Sequence, residues 1–242
     1  MVTFSPMNRY AAQRDVRAVR PGTAGLVSDR LWVTYRWMSL GLGLTGVVAW
    51  LVSSSPEAID LIFGNRMVFW GLLIAQLAIV WTFSSVAQRA GTALTAAMFF
   101  LYAAITGLTM SVIFLIYTGS SIFLTFAVCA GGFAGLSLFG AVTRRDLSGV
   151  GRFAIFALFG LIIASLVNIF LGSALLTWLT TFAGVLIFGA LTAYDTNKLR
   201  NLFESEGGGG RNLPLYGALV LYLDFINLFL FLLRIFGRSR DN

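Results

Sequence analysis

The chain has no histidine, one cysteine and one lysine in 242 residues. Without histidine there is no Ser-His-Asp hydrolysis, no Cys-His nucleophile and none of the common zinc sites. Cys129 has no intrachain partner, so cysteine usage leaves the redox compartment open. It lies inside an apolar run, where burial suppresses the thiolate, and it reads as filler. Charge is scarce as well. Asp, Glu, Lys and Arg make up 11% of the chain, against about 25% in a soluble domain. In their place stand apolar residues, 58% of the total, with a mean hydropathy of +0.85. This composition excludes a soluble globular domain and implies an all-α polytopic membrane protein. No segment outside the apolar runs is long enough for a second domain. The net charge is +7, but the arginines flank apolar runs. That placement sets topology and touches anionic headgroups, so nucleic acid is not an expected partner.

A membrane crossing needs about 20 apolar residues. Seven runs qualify: 37–53, 67–86, 93–117, 121–142, 153–171, 174–194 and 213–233. The expected organisation is a basic cytoplasmic arm over 1–36, a seven-helix domain over 37–236 and a short tail over 237–242. The arm follows no signal-peptide pattern. Ser53-Ser54-Ser55-Pro56 ends the first helix, and Glu204 to Gly210 reads as a solvated, glycine-rich linker. Thirteen of the 17 basic residues fall on the side of the amino arm. The positive-inside rule therefore places the amino terminus in the cytoplasm. Seven spans would put the tail outside, against the three arginines at 234, 238 and 240. Gly131 and Gly135, in GxxxG spacing, and the group Gly41, Gly43 and Gly46 are expected at close helix contacts. No sequence repeat relates the two halves, so an inverted-repeat transporter is not supported.

Asp224 is the only charge in the run Leu215–Leu230. A carboxylate near mid-membrane costs at least ~2.5 kcal/mol on insertion scales, which marks it as functional. Asp195 closes the preceding apolar run, and one short loop joins the two helices. With the sixth helix continuing through Leu199, Asp195 stands roughly 7 Å from its end. Asp224 stands roughly 12–16 Å from the start of the seventh. The two carboxyls are within reach of each other in the half of the bundle nearest that loop. Asn227 follows Asp224 by three residues and shares its face. Two close carboxyls in low dielectric share a proton and titrate as a pair. Such a pair serves a pH-sensitive ion gate, a proton relay, or the dyad of an intramembrane aspartyl protease. Arg89, ending the second span on the same side, is either a topological anchor or a latch onto a carboxylate.

The segments Gly189-Ala190-Leu191-Thr192-Ala193-Tyr194-Asp195-Thr196-Asn197-Lys198 and Leu221-Tyr222-Leu223-Asp224-Phe225-Ile226-Asn227-Leu228-Phe229 resemble the two signature stretches of the Bax inhibitor family. The third span, Phe100 to Thr109, is similar to that family's third helix. The resemblance covers roughly residues 30–237. It implies a seven-helix bundle with the last helix central, and a pH-sensitive calcium leak whose sensor aspartates fall on Asp195 and Asp224. The family's latch arginine falls on Arg89, with Tyr194 and Asn227 in support. The chain departs from the family in a longer loop between the sixth and seventh spans and in its basic amino arm.

Two aspartates offer calcium at most four of the six to eight oxygens it takes, which suits weak, transient binding. The resemblance thus implies calcium as permeant ion, protons and the bilayer as partners, and no resident cofactor or enzymatic activity. Two other classes stand beside this one. A non-conducting regulator would bind a membrane protease or survival protein and would need no titrating pair. An aspartyl protease would carry Gly-x-Gly-Asp and a Pro-Ala-Leu segment, whereas Leu221-Tyr222-Leu223 precedes Asp224 here. One lysine against sixteen arginines fits a high-GC bacterium, and so a bacterial plasma membrane.

Overall fold

The computed structural model describes residues 23–205 and 210–240. Arg9, Arg14, Arg17 and Arg20 of the basic arm and the center of the glycine-rich linker lie outside the described residues. Among the described residues seven helices are long and apolar enough to cross a membrane. They are α1 (Thr23–Ser53), α2 (Arg66–Arg89), α3 (Thr92–Met110, extended by a turn at Ile113–Ile116), α4 (Gly119–Val142), α5 (Ser148–Leu171), α6 (Ala174–Ser205) and α7 (Leu213–Phe236). The protein is an all-α polytopic membrane protein.

Local chemistry sets the helix ends. The hydroxyls of Ser53 and Ser54 both donate to the Trp50 carbonyl as α1 stops. Pro56 then opens a short helical turn, where its missing N–H costs nothing. Asn65 caps α2 by accepting from the amides of Met67 and Val68 at 2.9 and 3.4 Å. Gly172 closes α5 in the left-handed region, φ 58°, as a C-terminal glycine does.

Two helices run beyond their apolar stretches. Residues 23–36, expected in the arm, are the first turns of α1. The helix α6 continues past residue 194 to Ser205. An apolar run measures what lipid must cover, and a helix packed on its neighbors continues past that limit.

The bundle is arranged around α7, which packs against α1, α2, α3, α4 and α6. It carries the buried side chains Leu221, Tyr222, Asp224, Phe225 and Leu228. The helix α5 packs mainly on α6, at the periphery. The tail doubles back onto the loop before α4. The Thr118 amide donates to the Arg238 carbonyl, and the Arg240 amide to the Ile116 carbonyl, both at 3.0 Å. That loop follows the third crossing, so the tail lies on the membrane face opposite the start of α1.

The glycines divide differently from the expectation. Gly140 is a true close approach, since a Cβ there would strike the Ala193 carbonyl oxygen of α6. Gly41 packs against the Phe99 ring. Gly131, Gly135, Gly43 and Gly46 have nothing within 4 Å of where a Cβ would stand. The GxxxG spacing therefore marks no close helix contact among the described residues. The α1 face bearing Gly43 and Gly46 borders an open groove.

Candidate functional site

Because α6 reaches Ser205, Asp195 stands ten residues before its end, roughly 15 Å at 1.5 Å per residue. Asp224 stands eleven residues after Leu213, roughly 16 Å into α7. The equal depth corrects the shallower placing of Asp195 and removes it from the helix terminus. The two carboxyls meet side chain to side chain within hydrogen-bonding reach. Asp224 is 5% exposed, and Asp195 is half-buried. Among the described residues no N–H or hydroxyl donates to the buried Asp224 Oδ2. Two facing carboxyls can hydrogen-bond to each other only when one of them carries a proton. Among the described residues no third carboxylate, cysteine or histidine completes a metal cluster here.

The surrounding helices hold this pair in place. The hydroxyls of Ser137 and Thr196 bond at 2.9 Å, fixing α4 to α6 beside Asp195. Asn197 Nδ2 donates to the Gly140 carbonyl at 3.1 Å. Arg200 Nη1 donates to the carbonyls of Ala141 and Thr143 at 3.0 and 2.6 Å. Arg200 thus meets the carbonyl-rich end of α4, where a cation is favored. On α7, the Tyr222 ring points away from the pair into a polar cluster. Its hydroxyl lies 2.6 Å from Thr45 Oγ1, which donates to the Ala103 carbonyl at 2.9 Å. Thr45 spends its hydrogen on that carbonyl, so Tyr222 is the donor to Thr45. This chain ties α7 to α1 and α3.

The other sequence-derived residues do not join the pair. Arg89 is exposed at the end of α2. That end is level with the start of α7, because Asn212 Nδ2 donates to the carbonyls of Ala87 and Ala90 at 3.2 and 2.8 Å. Asp224 lies twelve residues further along α7 than Asn212, roughly 18 Å. A guanidinium at the level of Asn212 does not span that distance, and Arg89 forms no latch in this structure. The basic residue one turn along α6 from Asp195 is Lys198. Tyr194 faces α5, its ring against Gly151, with Lys198 Nζ 5.8 Å from the ring center. Asn227 turns back on its own helix, donating to the Leu223 carbonyl at 2.8 Å.

Sequence reading missed Asn212, Asn197 and Arg200. Their signal was modest: a buried asparagine just before a Pro-initiated helix, and polar residues one turn beyond Asp195 on a face that the apolar count had ended.

A seven-crossing bundle built around a helix with a buried carboxyl pair defines a class of integral membrane protein. The family model described as "Inhibitor of apoptosis-promoting Bax1" matches residues 27–241, and the chain belongs to this Bax inhibitor family. It is 50% identical over 238 residues to the inner membrane protein YbhL of Escherichia coli K12, covering 97% of this chain and 100% of that protein. A Deinococcus radiodurans protein is 46% identical over 210 residues, 86% of this chain and 89% of its own length. A Borreliella burgdorferi protein is 40% identical over 208 residues, 85% of this chain and 90% of its own.

Proposed function

We propose that the protein is a proton-sensitive cation leak of a bacterial inner membrane, with calcium the permeant ion and the Asp195–Asp224 pair its binding and sensing site. The observation carrying this reading is the contact of the two carboxyls between α6 and α7. A half-buried and a fully buried carboxylate at one depth offer a cation a step from solvent into the core. Two aspartates do not fill a calcium shell, so water and main-chain carbonyls complete it, and the ion is held weakly enough to leave. Protons compete for the same oxygens. The arginine asymmetry supports an amino terminus in the cytoplasm, and YbhL is described as an inner membrane protein.

The test is calcium entry into proteoliposomes of the purified full chain, scanned over pH, for wild type, Asp195→Asn and Asp224→Asn. Each variant is expected to lose most of the calcium flux and its pH dependence. A non-conducting regulator predicts no wild-type flux above empty liposomes, and partner binding that survives neutralising both aspartates.

A further inference from the structure

The helices α1 and α4 both pack on α7, and a cavity of about 910 Å³ opens between them. Its α1 wall runs from Ser28 to Val47 and its α4 wall from Phe126 to Ala141. These stretches are roughly 28 and 22 Å long at 1.5 Å per residue. The hydrocarbon core of a bilayer is about 30 Å thick, so the groove runs through most of it. Its floor includes Phe225, the residue after Asp224.

Gly43 and Gly46 line this groove with open space where a Cβ would stand. Glycine inside a helix costs about 1 kcal/mol relative to alanine, and no helix contact offsets that cost here. What the two glycines provide is width. The two ends of the groove differ in chemistry. Where α1 begins and α4 ends, its wall carries Ser28, Trp32 and Tyr35, residues suited to the headgroup level. Arg144 and Arg145 follow one turn past Ala141, both exposed. The ion pair found among the described residues, Arg200–Glu204, involves neither of them. The other end is walled by Val47 and Phe126. Asp29 and Asp146 are exposed at the same end as Arg144, beside Ser28 and Arg145, so the charge there is mixed, but the adjacent Arg144 and Arg145 give the mouth a paired cationic edge. A long apolar channel with such an edge matches one partner, a lipid with an anionic head.

We propose that this groove is a binding site for one anionic glycerophospholipid of the bilayer. Its headgroup sits at Arg144 and Arg145, and an acyl chain lies along Gly43 and Gly46 onto Phe225. The lipid closes the lateral opening beside α7 and is part of the wall of the bundle. This inference is independent of whether the protein conducts ions.

The experiment is native mass spectrometry of the purified full chain. The protein is released from nanodiscs of phosphatidylcholine containing a minor fraction of phosphatidylglycerol. Wild type is expected to retain one phosphatidylglycerol in preference to phosphatidylcholine. A basic residue near an anionic surface contributes roughly fivefold in affinity, so Arg144→Gln with Arg145→Gln should lower that preference by at least about fivefold. Gly43→Phe with Gly46→Phe places side chains in the groove from positions where a Cβ meets nothing within 4 Å, and should abolish retention. Gly160→Phe on α5, also with nothing within 4 Å, controls for added bulk and should retain the lipid. Size-exclusion elution and melting temperature confirm that each variant folds. Retention unchanged in the glycine pair, or a change of oligomeric state in place of lipid loss, overturns the proposal. Equal retention of the two lipids by wild type also overturns it.

Discussion

At the residue scale, Asp224 and Gly140 make opposite demands. Asp224 is a carboxyl placed where an apolar side chain would be cheaper, and among the described residues its Oδ2 has no donor while its side chain meets Asp195. Replacing it with a neutral isostere removes an expensive group. Asp224→Asn is therefore expected to keep or raise the melting temperature while weakening cation binding at least about tenfold, roughly 1.4 kcal/mol. Thermal unfolding in detergent and flux titration measure the two effects separately, and a large loss of stability would make the residue structural. Gly140 has no freedom to change, because the atom in its way is backbone. Gly140→Ala should destabilise by about 1–3 kcal/mol through overpacking. Gly131→Ala, facing open space, should be neutral or slightly stabilising. Arg89→Ala should leave calcium flux within about twofold of wild type, since the two aspartates lie roughly three turns deeper. A raised basal leak in that variant would restore the latch. The aspartates were legible in the sequence because a lone charge in an apolar run stands out. The fate of Arg89 was not, because it depends on which neighbor the end of α2 meets.

At the scale of elements, helix ends are held by side chains from other helices. Asn212, 3% exposed, accepts from the Thr92 hydroxyl at 2.8 Å and donates to the carbonyls of Ala87 and Ala90. It thereby joins the α2–α3 turn to the start of the helix that carries Asp224. Asn212→Ala leaves those carbonyls without a donor and should destabilise by about 2–3 kcal/mol, read from the unfolding midpoint. An unchanged midpoint would mean that water replaces the amide there. Between α4 and α5, hydrogen bonds from the Ser148 hydroxyl and amide, and then the charge of Arg152, hold the exposed Asp146 carboxyl below the usual carboxylate range. Its contribution to that turn is present above the ordinary carboxylate pKa and is lost as pH falls through the lowered value. Seven apolar runs were enough to locate seven helices. Their ends were not legible for α1 and α6, where Arg30, Arg36, Asp195, Lys198 and Arg200 interrupt the apolar count but not the helix. The GxxxG spacing misled for a related reason. It records that two small residues share a face and does not say whether anything approaches that face.

For the whole molecule, seven crossings and the pairing of the tail with the Ile116–Thr118 loop fix which segments share a membrane face. The end of α6 and the start of α1 lie together, and residues 238–240 lie opposite. With Cys129 replaced by alanine, cysteines at Ser205 and Ser239 should label from opposite sides of intact cells, and labelling from the same side would contradict the topology. The arginines of the tail run against the overall bias, which nine of the described basic residues toward the other face outweigh. Within this frame the central helix brings one carboxyl to another at a depth that lipid alone would not tolerate. Sequence order conveyed that depth through the short loop joining α6 and α7. It did not convey the groove between α1 and α4, because an empty space leaves no pattern along the chain. The central claim is that protons and a cation compete for the Asp195–Asp224 pair. The most direct test is the calcium concentration giving half-maximal flux into proteoliposomes, measured from pH 8 down to about pH 5, a window around the reference values of carboxyl groups. The account predicts that this concentration rises as pH falls in wild type and is independent of pH in Asp195→Asn with Asp224→Asn. A wild-type value that does not move with pH, or a double variant that titrates like wild type, would contradict it.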